Sequence, residues 1–323
     1  MENGHPILKK KKNDMTKFYR FLCAALFALS GFALHAQQDD DLLSLLADEP
    51  RIEYAAYAFK TNRIVNGHSI ENLAEGVLDF KISHRFGALR NGFYDVFGLD
   101  AATIRIGLDY GVTDWLMVGV GRSSKEKIID GYLKAKILRQ SSGKRVMPLS
   151  VSYLTDAQIV TARFADPERE NLFSSRLYYT HQLLLARKFN DLITLQLMPT
   201  LVHRNLVRTT ADRNDVFAMG VGGRIRLTRR VTLNAEYYHV LPNQIANPNF
   251  VNALSVGFDI ETGGHVFQLH FTNSPDMTYK GFITETPEAW FFRNDEGRML
   301  SGVRFGFNIS RVFTVKKPRG WED

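Results

Sequence analysis

The stretch AATIRIGLDYGVTDWLMVGVG (residues 101–121) decides the fold. It is an alternating run, a tight polar turn and a second alternating run. Ile104, Ile106, Leu108 and Tyr110 fall on one side of the first run, and Thr103, Arg105, Gly107 and Asp109 on the other. Successive side chains of a strand point to opposite faces, so this is a hairpin with one apolar face and one polar or small face. Units of the same kind recur at 174–205, 215–240 and 252–273.

Extended along the chain from Gly76, the pattern predicts twelve strands, at 76–86, 102–110, 115–122, 130–139, 148–158, 174–188, 192–205, 215–227, 231–240, 252–260, 265–273 and 302–313. Short polar connections follow the even strands: Gly111–Asp114, Asn190–Asp191, Thr228–Arg230 and Glu261–Gly264, with a longer one at 140–147. Long connections follow the odd strands, at 87–101, 159–173, 206–214, 241–251 and 274–301. An even strand number with short turns at one end and long loops at the other is the pattern of a transmembrane β-barrel. Alternation alone also fits a soluble sandwich, whose apolar faces meet each other. Aromatics beside the short turns (Tyr110, Trp115, Phe189, Tyr237, Phe258 and Phe313) favour lipid, because aromatic rings collect at membrane interfaces. The expected class is therefore all-β: a single antiparallel up-and-down transmembrane β-barrel of about 12 strands, with short periplasmic turns and longer outer loops. No sheet edge is tolerated in lipid, so the first strand must pair with the last.

The N-terminus supports export. Lys9–Lys12, Lys17 and Arg20 precede an apolar run from Phe21 to Leu34, and small residues lead to Ala36. This reads as a cleavable signal over residues 1–36, with Met15 as an alternative start. The segment carries Cys23, the single cysteine, so the mature chain has no thiol for disulfides, zinc–thiolate sites or thiol catalysis. It also carries six of the 41 basic and two of the 34 acidic residues, so its removal lowers the net charge from +7 to +3. The basic balance then lends no support to nucleic-acid binding. A mean hydropathy of −0.19 excludes a helical membrane bundle, yet fits a barrel, in which only alternate strand residues need be apolar.

Residues 37–75 form a different segment, acidic and leucine-rich at first and then mixed polar and apolar through FKTNRIVNGHSIE (59–71). They are expected to make a periplasmic strap or a plug folded into the barrel. The barrel follows at 76–313 and a short basic tail at 314–323.

The stretches FKTNRIVNGHSIENLAEGVLDFKISHRFG (59–87), GLDYGVTDWLMVGVGRS (107–123), TLQLMPTLVHRNLV (194–207), DIETGGHVFQLHFTNS (259–274) and FGFNISRVF (305–313) resemble a β-barrel family catalogued as domain of unknown function DUF5777. The resemblance spans nearly all of the mature chain. It implies an exported outer-membrane-type barrel, and no catalytic or ligand residues.

Motifs that could carry chemistry have plainer readings. TGGH (262–265) is followed by the alternating VFQLHF rather than by a helix, so its glycines belong to a hairpin turn and not to a phosphate loop. The glycines of VGVGR (118–122) and GVGGR (220–224) are expected to relieve crowding on the inner wall or to allow sheet curvature. His265 and His270 point to opposite faces, and no pair of histidines has metal-ligand spacing. His181, His203 and His239 lie on apolar faces, where interfacial imidazoles are expected. With Ser174 and Ser175, His181 and His203 raise the distant alternative of an outer-wall lipid hydrolase. No nucleophile elbow is present, however, and the protein is expected to be no enzyme and to need no cofactor or metal.

The inner wall carries the functional candidates. Lys81, Arg85, Arg105, Lys134, Lys136, Arg224, Arg226 and Arg304 face Asp79, Asp109, Glu236 and Asp259, with Gln268 and His270 beside them. Eight bases against four acids predict a positive lumen that favours small anionic solutes, provided that it is open. The alternative is a filled, non-conducting barrel that anchors or docks periplasmic partners. Besides such a partner, the partners expected are outer-membrane lipid and the secretion and barrel-assembly machinery.

Overall fold

The computed structural model describes residues 51–316 except 165, 169 and 294–296. The export signal, the first part of the 37–75 segment and residues 317–323 lie outside the described residues. From Ile52 onward the chain forms one unit.

Twelve strands build it: β1 (Val77–Ala88), β2 (Ala102–Gly111), β3 (Leu116–Ser123), β4 (Ile128–Leu138), β5 (Ser150–Val160), β6 (Leu177–Lys188), β7 (Ile193–Arg204), β8 (Asp215–Arg226), β9 (Val231–Val240), β10 (Leu254–Thr262), β11 (His265–Thr272) and β12 (Arg304–Thr314). Each pairs antiparallel with its sequence neighbour, and β12 pairs with β1 (Phe307 opposite His84, Ile309 opposite Ile82), which closes the sheet into a barrel. Closure satisfies every strand edge, as lipid requires. The end that carries the short turns also holds a small ribbon, in which Ile52–Tyr54 pairs with Ser141–Gly143. The long end has one exception to the expected asymmetry: only residues 124–127 join β3 to β4.

The two faces of the wall separate lipid from sandwich. On β2, Ile104, Ile106 and Leu108 are exposed while Arg105, Gly107 and Asp109 are buried. The same inversion runs through β8, where Phe217 is outside and Arg224 inside. A soluble sheet buries its apolar side and wets its polar one. Here the polar side is enclosed and the oily side faces outward around a closed ring, which only acyl chains can solvate.

The aromatic girdle needs one correction. Tyr110, Trp115, Phe189 and Phe313 sit at the short-turn end, and Phe258 lies opposite Leu233 in the same half of the wall. Tyr237 does not join them. It pairs with Leu254, the first residue of β10, at the long-loop end. Six residues of strand at ~3.3 Å each carry it some ~20 Å from the turn that precedes β9.

Turn chemistry follows the sequence. Gly263 and Gly264 both have positive φ, at 34° and 100°, between β10 and β11, where no helix follows. Inside the wall, a Cβ on Gly121 would lie 2.2 Å from Arg105 Nη2, so this glycine makes room for a buried guanidinium.

Candidate functional site

The bore is filled from both ends. From the short-turn end, residues 58–70 enter it and are buried almost throughout. Asn62–Ser69 folds back on itself: Ile64 N–H donates to Gly67 O at 2.8 Å, Ser69 N–H donates to Asn62 O at 3.0 Å, and Arg63 bridges to His68. The tip is the tetrapeptide Ile64-Val65-Asn66-Gly67. A Cβ on residue 67 would lie 2.0 Å from Tyr238 Oη, so only glycine seats there.

A backbone loop buried in a barrel must find partners for its peptide groups, and the inward side chains of the wall supply them. Glu236 on β9 accepts from the N–H groups of Val65, Asn66 and Gly67 at 3.3, 2.7 and 3.0 Å. Gln268 on β11 donates to Ile64 O at 3.1 Å, and Asn308 on β12 donates to Val65 O at 3.1 Å. Gln196 on β7 donates to His68 O at 2.8 Å, and the Lys134 ammonium on β4 donates to Ser69 O at 3.1 Å and Glu71 O at 2.5 Å. Side chains are clasped too. Asn66 accepts from Arg85 at 2.5 Å and donates to Ser255 Oγ at 3.0 Å, while Asn62 donates to Asp109 at 2.8 Å and accepts from Lys81. At the mouth, Arg224 donates to Tyr57 O at 2.5 Å.

From the long-loop end, the β11–β12 connection turns inward. It carries α1 (Tyr279–Thr284), all six residues of which are buried. Asp276 prepares the turn into α1 by accepting from Met277 N–H and Thr278 N–H at 2.7 and 2.9 Å. Phe282 and Ile283 then pack in an apolar cluster with Leu154, Leu184, Met198, Val202, Val216 and Tyr238, which hairpin residues Phe59, Ile64 and Ile70 also join. At the rim Lys280 lies 2.5 Å from Glu126 and 3.1 Å from Glu285. Burial alone would lower the Lys280 ammonium, yet the two carboxylates hold it above its ordinary value.

The two insertions touch in mid-bore. His68 Nδ1 lies 2.7 Å from Tyr279 Oη, which also accepts from His68 N–H at 3.2 Å and donates to Gln182 at 3.1 Å. Burial, and after it the nearby Arg63 and Lys134 charges, holds His68 well below the ordinary histidine value, so the contact is made by a neutral imidazole.

The sequence-derived lumen residues divide into two groups. Asp79, Lys81, Arg85, Arg105, Asp109, Lys134, Arg224, Glu236, Asp259, Gln268 and His270 are buried on the inner face. Lys136 and Arg226 are half-buried at the short-turn mouth, the latter 3.8 Å from Asp191, and Arg304 is at the long-loop mouth, 3.3 Å from Glu288. The expected excess of bases is corrected accordingly. Among the described strand residues, the fully enclosed charges are Lys81, Arg85, Arg105, Lys134, Arg204 and Arg224 against Asp79, Asp109, Asp130, Asp156, Glu236 and Asp259, six against six. Asp130 holds Arg105 in a two-pronged pair, with Arg105 Nε at 2.9 Å from Oδ1. Asp79 and Asp109 oppose each other directly across β1 and β2, a repulsive placement that Lys81 relieves from 3.3 and 3.6 Å.

The sequence reading missed Asp156 for a visible reason. It shares the inner face of β5 with Leu154, an apolar residue serving the cluster around α1, and so the polar alternation breaks there. On the outer wall, no hydrogen bond joins these serines to these histidines among the described residues. His203 contacts Asp215 at 2.7 Å through Nδ1 and Asn205 at 2.8 Å through Nε2, while Ser175 donates to Leu172 O at 2.6 Å. The described residues contain no group of three or more metal-ligating side chains.

No curated protein matches the chain. Among solved structures it is similar to the NanC porin (8% identity, 74% of this chain and 100% of that one, TM-score 0.44), the KdgM porin (8%, 73% and 99%, 0.42) and the CymD monoaromatic hydrocarbon channel (10%, 76% and 90%, 0.34). Likeness at this level bears on neither solute nor mechanism. The sequence match runs from the inserted hairpin through the last strand, residues 59–313, and by it the chain belongs to the membrane bound beta barrel domain family DUF5777.

Proposed function

We propose that the protein is an outer-membrane conduit for small solutes, held shut by two closures in series. The observation that carries this reading is the clasp on the hairpin. Six inward-facing side chains or more are spent on the peptide groups and amides of one short segment, and that segment joins β1 through a linker. It can leave without opening the barrel ladder. The wall it would uncover is polar and charge-balanced, suited to water; a permanently dry core gains little from buried ion pairs, since apolar residues do as well. With acids and bases equal in number, the bore offers no reason to prefer anions.

The apolar cluster around α1 favours a second reading, a permanently filled barrel that acts as an anchor. Planar-bilayer recording separates the two. Four proteins are compared: the full chain, a variant with residues 58–70 replaced by a flexible linker, a variant with residues 276–286 replaced likewise, and the double variant. The expected result is silence from the first three and steady current from the double variant. Steady current from the full chain would contradict closure. Silence from a correctly folded double variant would favour the anchor.

A further inference from the structure

A cavity of about 220 Å³ lies at the short-turn rim of the wall, among Tyr54, Asp114, Trp115, Lys136, Arg139, Arg145 and neighbouring apolar residues. We propose that it binds the phosphate of an anionic phospholipid headgroup in the leaflet on that side.

The cavity is built by an irregularity in the wall. β4 pairs with β5 through Lys136–Ser152 and then Leu138–Val151, so Ile137 is an extra residue in a bulge. A regular strand shows only alternate residues to each side, whereas here four successive ones, Lys136 to Arg139, border one cavity. The small ribbon completes it. Ile52–Tyr54 pairs with Ser141–Gly143, and Ala55 N–H donates to Gln140 O at 2.9 Å, which brings the Tyr54 ring 4.1 Å from the Arg139 guanidinium carbon. Ser141 Oγ donates to Arg145 O at 2.7 Å and fixes the turn that carries the third base. On the other side, Lys136 N–H donates to Trp115 O at 2.7 Å and holds β4 against the turn after β2.

Three cations thus border one cavity with a single acid, Asp114. Among the described residues, the Lys136 and Arg145 side chains have no hydrogen-bond or ion-pair partner. One lysine and two arginines against one carboxylate around a small concavity are a phosphate-recognition set.

Position identifies the bearer of the phosphate. Trp115, in the turn after β2, and Ile137, on the outward face of β4, line the cavity and are exposed, at 56% and 59%. A phosphate seated among the three bases would send its acyl chains up that wall. The same rim repeats the arrangement in simpler form, with Arg187 stacked over Phe189 and Arg311 over Phe313, both at 5.1 Å. Basic side chains interleaved with interfacial aromatics are how proteins address an anionic leaflet.

The test uses the full chain, refolded in detergent and exchanged into mixed vesicles of phosphatidylglycerol and phosphatidylcholine, with lipids retained after re-extraction counted by native mass spectrometry. The wild type is expected to retain phosphatidylglycerol preferentially. Each of Lys136→Gln, Arg139→Gln and Arg145→Gln should lower retention about fivefold, the usual worth of one basic group beside an anionic surface. Arg208→Gln, on a long loop at the other end, should leave it unchanged. All variants should keep heat-modifiable gel mobility, because the altered side chains are on the rim. Equal retention by wild type and the triple variant would overturn the proposal. So would displacement of the lipid by inorganic phosphate at matching concentration, which would assign the site to a free anion.

Discussion

The two insertions close one bore by different physics. The hairpin half is a polar clasp: Glu236, Gln268, Asn308, Gln196 and Lys134 bind a loop's backbone. The α1 half is a small hydrophobic core, in which Phe282 and Ile283 pack among Met198, Val202 and Tyr238. A clasp is specific because a buried polar group left unpaired is costly. A core is strong because it is close-packed. Motion therefore belongs to the hairpin. Water can replace the wall's hydrogen bonds to the hairpin one by one, whereas nothing replaces lost packing, which the hairpin shares only through Phe59, Ile64 and Ile70.

Four perturbations, in descending order of cost, probe this contrast. Phe282→Ala empties part of the core and should cost about 3–5 kcal/mol, measured by urea unfolding in detergent micelles, with little dependence on pH. Glu236→Gln keeps one acceptor oxygen and turns the other into a donor facing the hairpin's N–H groups. It should cost about 2–3 kcal/mol and expose residues 58–75 to protease while α1 stays protected. Loss of protection at both segments together would show that the two closures are one.

Acidification probes the clasp through His68. Its folded-state value lies below the ordinary 6.5 or so of histidine. Between those two values the unfolded chain binds a proton that the folded chain refuses. The stability that the neutral ring contributes is therefore complete above ~6.5 and falls as pH drops below it, by at most about 1.4 kcal/mol per pH unit. Protease sensitivity of the hairpin should rise from pH 7 to pH 5 in the wild type and be flatter in His68→Gln. Tyr279→Phe is the mildest change. It removes the hydroxyl shared by His68 and Gln182, should cost about 1 kcal/mol, and should loosen the contact between the closures without undoing either.

Most of the barrel was legible in the sequence because lipid imposes a period of two on every strand. The boundaries of β2, β9 and β11 fall within one residue of those expected from alternation and turn residues alone. What resisted was the interior. A hairpin such as FKTNRIVNGHSIE is polar, and hydropathy reads polar as exposed. Only its surroundings, a polar wall already shut off from water, make it buried. Its sequence left strap and plug equally open for that reason. The charge ledger failed at the strand ends, where Lys136, Arg226 and Arg304 keep the inward phase but sit at the mouths and where Asp130 and Arg204 are enclosed without having been counted, and at Asp156, where Leu154 breaks the alternation. Tyr237 was assigned to the wrong end because period two tells which face a residue is on and not how far along the wall it lies.

The hairpin tip is seated in the wall of the bore. Amide hydrogen exchange of the full chain in lipid nanodiscs, read by mass spectrometry over residues 58–75, tests it most directly. The account predicts that the Val65, Asn66 and Gly67 amides, each bonded to Glu236, exchange far more slowly than a free peptide and are released by Glu236→Gln. Exchange at free-peptide rates, with the strand amides of the barrel still protected, would contradict it.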